Sequence, residues 1–156
     1  MKKIDIQIIS HLRKDGRMPL TELSRDTELP VSTIHDRLKQ HVKNKLLKPT
    51  VLLSFDKLGF NTRAHILLAV EHLEKEKIFA HLQKNPHVNS LYRINNGWNI
   101  LMECIFKDMP SLEDFVEKLE NTFHIKQKQV HYILDELKRE GFLAQPELAE
   151  ALLSNL

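Results

Sequence analysis

One cysteine in 156 residues leaves no intramolecular disulfide to staple the chain, and such usage fits a reducing cytoplasm. No run approaches the roughly 18 consecutive apolar residues of a membrane-spanning helix, so no membrane partner is expected. The start, Met-Lys-Lys-Ile-Asp-Ile-Gln, lacks the long apolar stretch of a secretory signal, because Asp5 and Gln7 interrupt it. The nine histidines are scattered: no two stand at i,i+4 spacing and no second cysteine joins Cys104. No metal site and no cofactor are therefore expected. Tyr92, Arg93 and His131 are polar residues near a predicted sheet, but they form no catalytic pattern, and no catalytic residue is assigned. Cys104 lies among Met102, Ile105 and Phe106, which reads as a small buried side chain in a strand rather than a reactive thiol.

What is present is an ordinary globular composition, 42% hydrophobic and 28% charged, long enough for one domain or two small ones. The net charge of +2 hides an asymmetry. Residues 1–60 carry 12 Lys/Arg against 7 Asp/Glu, a balance of +5, and residues 61–156 carry 11 against 14, a balance of −3. A basic first part joined to an acidic second part suggests a polyanion-binding module attached to something else.

In the first part, Ile4, Ile8, Ile9 and Leu12 recur at helical spacing from about Ile4 to Lys14, with Asp5 in the first turn where the helix dipole favours an anion. Asp15-Gly16 ends this helix, Gly16 offering a left-handed cap. Pro19 starts a second helix to about Thr27, and Leu29-Pro30 turns into a third over about Val31 to Lys43, begun by Pro30 or Ser32. Val31, Ile34, Leu38 and Val42 form its core stripe, with His35 and His41 at the boundary. Ser32, Thr33, Asp36, Arg37, Gln40 and Lys43 occupy the opposite side. A helix fits the major groove of DNA, and hydroxyls, amides and guanidinium groups can bond base edges there. Arg37 has a second reading, an internal salt bridge to a carboxylate of the first helix such as Asp5. Asn44 can supply a left-handed helix end, and Lys45 and Lys48 are placed to meet phosphates. An apolar stretch, Val51-Leu52-Leu53-Ser54-Phe55, reads as a strand, which makes the order that of a winged helix.

The remaining residues follow a strand, helix, strand, strand, helix, strand rhythm. Strands are expected at Thr62–Glu71, Val88–Ile94, Ile100–Lys107 and Gln127–Leu134. Helices are expected at Glu74–Lys84 and, capped by Ser111, through Leu112, Phe115, Val116 and Leu119. This is the split βαβ, ferredoxin-like arrangement. It leaves one sheet face uncovered, and the apolar residues on both sides of the first strand make that face a candidate dimer interface. A two-fold dimer suits palindromic half-sites on DNA. The tail, Pro146–Leu156, reads as a short helix that either folds back on the sheet or docks on a partner.

Several strings in this order resemble the Lrp/AsnC family, the feast/famine transcriptional regulators. They are Ile4-Asp5-Ile6-Gln7-Ile8-Ile9, Asp15-Gly16-Arg17-Met18, Ser32-Thr33-Ile34-His35-Asp36-Arg37-Leu38, Phe55-Asp56-Lys57-Leu58-Gly59 and Asn85-Pro86-His87-Val88, spanning residues 3–136. The resemblance implies an N-terminal DNA-binding domain and a C-terminal ligand-sensing, oligomerising domain, in dimers that assemble further, often to octamers. Pro30 stands where the family commonly has Ser, and Asn44-Lys45 where it has Gly. The family's effector loop reads roughly Thr-Gly-Asp-Tyr-Asp, whereas this chain has Asn95-Asn96-Gly97-Trp98-Asn99, with neutral Asn99 in place of an acid. Those five residues are the candidate effector site. A plain hairpin turn, which Asn-Gly encodes by itself, is the alternative.

The expected architecture is thus α+β. A winged helix-turn-helix (1–50) leads through a linker strand (51–61) to a ferredoxin-like domain (62–136) and a tail with a short helix (137–156). The expected function is that of a cytoplasmic DNA-binding transcriptional regulator, homodimeric or larger, with a small-molecule effector such as an amino acid. The alternatives are an enzyme resembling the AsnC-fold decarboxylases of the haem pathway, and an interaction protein that does not use DNA.

Overall fold

The computed structural model describes residues 2–153, so the last three residues of the expected tail helix lie outside the described residues. The chain divides into two compact units. One holds the residues up to Leu52 together with the tail from Leu137, and the other is Leu53–Glu136.

The first unit is built on three helices, α1 (Lys3–Lys14), α2 (Leu20–Thr27) and α3 (Val31–Lys43). Ile8, Leu23 and Ile34, one from each helix, are fully buried, and Ile4, Leu12, Met18, Leu20, Leu29 and Leu38 close around them. Each such aliphatic side chain contributes about 1.5–3 kcal/mol on burial, and this small core holds the three axes together. Pro19 and Pro30 sit just before α2 and α3 with φ of −59° and −58°, values their rings impose. Ser32 makes no capping bond, so α3 has the proline start.

Helix ends depart from expectation in detail. Gly16 is not left-handed; Asp15 organises that turn, its carboxylate accepting from the Arg17 N–H at 2.9 Å and its carbonyl from the Met18 N–H at 3.2 Å. The left-handed residue after α3 is Lys45 (φ 58°), not Asn44 (φ −80°). The core stripe of α3 is also narrower than drawn. Val31 and Val42 are exposed, and His41 is buried in their stead.

The segment 51–55, expected as a linker strand and as the wing, forms no strand, and Val51, Leu52 and Leu53 are exposed. A strand needs a second extended segment to pair with in a ladder, and residues 51–55 are in no sheet; the Phe55 carbonyl instead accepts from the Leu58 and Phe60 N–H groups at 3.0 and 2.9 Å, which turns the chain. Among the described residues the first unit is therefore a helix-turn-helix without a β-wing.

The second unit carries β1 (Thr62–Val70), α4 (Lys75–Gln83), β2 (Val88–Arg93), β3 (Ile100–Phe106), α5 (Met109–Thr122) and β4 (Ile125–Tyr132). The sheet order is β2-β3-β1-β4 with every pair antiparallel, the ferredoxin-like topology. Alternation along β1 sends Ala64, Ile66, Leu68 and Val70 into a core with Met102, Cys104 and Phe106 of β3. Ile78, Phe79 and Leu82 of α4 and Leu112, Phe115, Val116 and Leu119 of α5 join the same core, which puts both helices on one face. The cap of α5 is Asp108, whose carboxylate accepts from the Ser111 N–H at 2.9 Å, three residues ahead of the expected cap.

The tail turns back to the first unit. Its helix, α6 (Pro146–Leu153), packs against α1. Ser10 Oγ, fully buried, donates to the Leu143 carbonyl at 2.6 Å, and the Arg13 guanidinium donates to the Phe142 and Glu140 carbonyls at 3.0 and 2.6 Å. Gln7 Nε2 donates to Glu150 Oε1 at 3.1 Å, and Lys3 pairs with the same carboxylate at 3.0 Å. Ile6 and Ile9, buried outside the Ile8 cluster, flank this row on α1. The first helix is therefore apolar on two sides because it is covered on two sides.

Candidate nucleic-acid interface and sensor cavity

The exposed side of α3 follows the i,i+4 row Ser32, Asp36, Gln40, with Lys43 beside it, all four exposed and Thr33 half-buried at the margin. Lys43, Lys45 and Lys48 are exposed and make no ion pair among the described residues, and neither does Lys39, whose sequence position offered it to Asp36 as a partner. Asp36 lies in the middle of this basic surface, 3.4 Å from His35 Nδ1.

Arg37 does not belong to that exposed row. Its Nη1 donates to the Asp5 carboxylate at 3.1 and 3.4 Å, and His41 Nε2 lies 3.0 Å from Asp5 Oδ1. The second reading of Arg37, as an internal ion pair, is the one the geometry adopts. Asp5 is 5% exposed, and it also accepts from the Lys2 N–H at 3.2 Å, so one carboxylate caps α1 and grips α3 across the helical core. A buried carboxylate held by two cationic or polar side chains fixes the roll of α3 about its axis, and hence which residues point outward.

In the second unit the candidate effector residues separate. Asn96 (φ 63°) and Gly97 (φ 88°) are both left-handed, the two-residue hairpin conformation that Asn-Gly favours. Asn95, Asn96 and Gly97 are the exposed turn itself, and Trp98 is half-buried. Asn99 is set apart. Its N–H donates to the Leu68 carbonyl at 2.9 Å, its carbonyl accepts from the Ile94 N–H at 3.1 Å, and its side-chain oxygen accepts from the Val70 N–H at 2.8 Å. Of the five, Asn99 alone lines a cavity of about 200 Å³, together with Lys75, Phe79, Arg93 and Ile94. Arg93 was set aside as a catalytic candidate. Here its guanidinium lies 4.3 Å from the centre of the Phe79 ring while Nη2 donates to Glu76 at 2.9 Å. That partner holds Arg93 more basic than usual and the Glu76 carboxyl more acidic.

The outer sheet face, opposite α4 and α5, aligns Leu67 with Leu101 and His65 with both Glu103 and His131. Glu103 is 7% exposed there. It accepts from Arg63 Nε and Asn89 Nδ2, each at 2.5 Å, and from Ser90 Oγ at 3.2 Å. Burial alone would raise its pKa, but Asn89, Arg63 and Ser90 outweigh that and hold it below the usual carboxylate value. Arg63 also donates to Glu136 and stacks 5.6 Å from the Phe55 ring, joining the entry and exit of this unit. On the other face, burial and then the Glu103 charge push the Cys104 thiol up to about 12, which keeps it protonated.

A helix-turn-helix with a free polar edge, followed by a ferredoxin-like unit carrying a small side cavity, is the construction of a two-domain transcriptional regulator, and the comparisons agree. Residues 1–40 match the AsnC-type helix-turn-helix domain, and residues 63–143 match the Lrp/AsnC ligand binding domain. The chain belongs to the Lrp/AsnC family. It is 31% identical over 115 residues to the HTH-type transcriptional regulator FL11 of Pyrococcus furiosus, covering 73% of this chain and 76% of that one. It is 25% identical over 138 residues to the HTH-type transcriptional regulator LrpC of Bacillus subtilis, covering 88% and 94%. The fold superposes on the transcriptional regulator NMB0573 of Neisseria meningitidis, solved as an L-Met complex, with a TM-score of 0.82 and 26% identity over 89% and 93% of the two chains. The chain is a helix-turn-helix transcriptional regulator with a ligand-binding domain, and no helix among the described residues is long and apolar enough to cross a membrane.

Proposed function

We propose that this regulator works in the cytoplasm without catalysing a reaction, reading double-stranded DNA with the outer edge of α3. Ser32, Thr33 and Gln40 face base edges, and Lys43, Lys45 and Lys48 meet phosphates on either side. Asp36 accepts from cytosine or orients its neighbours. Arg37 is a positioning residue held by Asp5, which revises its expected role at the bases. Two copies associate through the outer sheet face around Leu67 and Leu101, and the pair presents two α3 helices to a two-fold site; larger assemblies build on that dimer. A small molecule bound at the Asn99 cavity tunes the DNA affinity. The observation that carries the reading is α3 itself, a helix locked inward by Ile34 and Asp5 whose opposite edge is polar and whose lysines make no ion pair among the described residues.

Gel shifts on genomic fragments at a series of salt concentrations test it. Log K should fall linearly with log[salt], and Lys43→Ala or Lys45→Ala should each reduce the slope by about 1 without changing which fragment is preferred. Tight binding with no salt dependence, or a slope untouched by both variants, overturns the α3 interface.

A further inference from the structure

The tail helix α6 has more apolar surface than α1 covers. Ala149 is buried where α6 packs on α1, but Leu148 and Leu152, an i,i+4 pair, are each more than half exposed. So is Phe142, whose backbone is nevertheless pinned: its carbonyl accepts from Arg13 Nε at 3.0 Å. Glu140 (φ 53°) and Leu143 (φ 60°) flank it in the left-handed region without being glycine. That conformation is unfavourable for L residues, and it is held here by Arg13 and Ser10, which donate to the Glu140 and Leu143 carbonyls. The strained turn thus fixes the backbone at Phe142 and leaves the ring in solvent. Phe142, Leu148 and Leu152 border a groove of about 350 Å³, with Lys138 in its lining. An exposed apolar patch with a polar border marks an interaction surface.

We propose that this patch is a second contact between copies of the chain, α6 lying against α6 of another copy about a two-fold axis. The proposal rests on the dimer reading given above and supplies what its larger assemblies require. A two-fold contact uses the same patch on both members and so saturates itself; growth beyond a dimer needs a different patch. The α6 patch is self-complementary in shape, because an exposed ring, Phe142, and a groove walled by Leu148 and Leu152 occur together, so each copy offers a ring to the groove of the other. It is self-complementary in charge as well. Lys138 lines the groove, Glu147 stands exposed in the first turn of α6, and neither makes an ion pair among the described residues. The two charges cancel, so the patch selects no partner of a single sign, whereas a two-fold apposition of copies pairs each sign with its opposite. A patch of this size binds weakly by itself and acts between dimers already held together elsewhere.

Sedimentation velocity of the full chain over a hundredfold range of concentration tests it. The unaltered protein should pass from dimers to larger species as concentration rises. Phe142→Ser combined with Leu148→Ser, both at exposed positions, should weaken that second step at least tenfold and leave the dimer intact, and far-UV melts establish that the helical unit is folded. Lys138→Glu and Glu147→Lys should each weaken the step several-fold, and the double variant, in which the two signs are exchanged, should recover it. Such recovery is expected only where the partner is another copy of the same patch. A protein that never exceeds a dimer overturns the proposal and leaves the outer-sheet contact standing. Larger species untouched by the serine pair place the contact elsewhere and overturn it too. Weakening by the charge variants that the double variant does not recover also overturns it, and is the result expected if α6 serves an unlike protein. Leu67→Glu keeps the two readings apart: if it leaves the dimer unchanged while the serine pair yields monomers, the outer-sheet contact fails and the α6 contact stands.

Discussion

Asp5→Ala should weaken the DNA-binding unit far more than its place in the first turn of a short helix suggests. The change removes the acceptor of three contacts: Arg37 Nη1 at 3.1 Å, His41 Nε2 at 3.0 Å and the Lys2 N–H at 3.2 Å. Breaking a buried ion pair by deleting one member costs about 3–5 kcal/mol, because the other charge is left without a partner. The Arg37 side chain is 25% exposed and can turn to water, whereas the His41 side chain, at 10%, cannot easily do so. The low end, about 3 kcal/mol, is therefore expected. At about 4–8 °C per kcal/mol for a unit of this size, the melting temperature of the helical unit should drop by about 12–24 °C. The assay uses the position of the single tryptophan. Trp98 belongs to the sheet unit, so its fluorescence follows that unit while far-UV circular dichroism follows both. The helical transition should move to lower temperature and separate from the tryptophan transition. Arg37→Ala, which leaves Asp5 its His41 contact, should cost about 2 kcal/mol and couple strongly to Asp5→Ala in a double-mutant cycle. It should also weaken binding to all DNA sequences in similar proportion. A cycle coupling below about 0.5 kcal/mol, or a loss of preference confined to one base pair, would refute the assignment of Arg37 as a positioning residue.

Three further outcomes follow from the contacts described. The Glu103 carboxyl is held below its ordinary value of 4.5, so its stabilising effect is complete above that value and is lost as pH falls through the lower folded value; Glu103→Gln should flatten the acid limb of the Trp98 unfolding transition below about pH 4.5. With Cys104 pushed up to about 12 and fully buried, a thiol reagent at pH 8 should label the native protein negligibly and react within minutes once denaturant is added; fast native labelling would contradict the buried placement. Removing residues 137–153 should expose Ile6 and Ile9 and strip the acceptors of Ser10 and Arg13, so the helical transition should fall while the Trp98 transition holds; an unchanged helical melt would show that the tail contributes nothing to that unit.

The elements that could be read from sequence are those whose signal is local. The β-prone apolar run within Thr62–Glu71 and the spacing of Leu112, Phe115, Val116 and Leu119 mark a strand and a helix from local signal; β1 ends one residue from expectation, and α5 begins three residues early. Caps were less legible, because Asp108 competes with Ser111 and Asp15 with Gly16, and either member of each pair is a reasonable local choice. The stretch 51–55 has strand composition but no strand, since pairing is a property of two segments and composition of one. Misplacing Val42 and His41 has the same origin: the helical period marks a side, while Asp5, 36 residues away, decides which residue on that side is drawn inward. Of the candidate contacts on α3, Arg37 alone was redirected by such a long-range partner. One overlooked signal was available. Ile6 lies off the stripe formed by Ile4, Ile8 and Leu12, and a helix with apolar residues on two faces asks for a second neighbour, which α6 provides.

The return of the tail has a consequence for how the protein comes into being. Because α1 is completed by residues 140–153, the unit that reads DNA is assembled from the two extremes of the sequence, with the whole sheet unit threaded between them. During synthesis from the N-terminus, α1, α2 and α3 leave the ribosome early, yet Ser10, Arg13 and the Ile6–Ile9 side of α1 stay without their partners until the sheet has been made. The nascent chain thus carries an unfinished DNA-reading head through most of its translation. Only a chain that has produced its sheet unit can complete its helical unit, and a prematurely terminated product would carry α3 on a weakened scaffold.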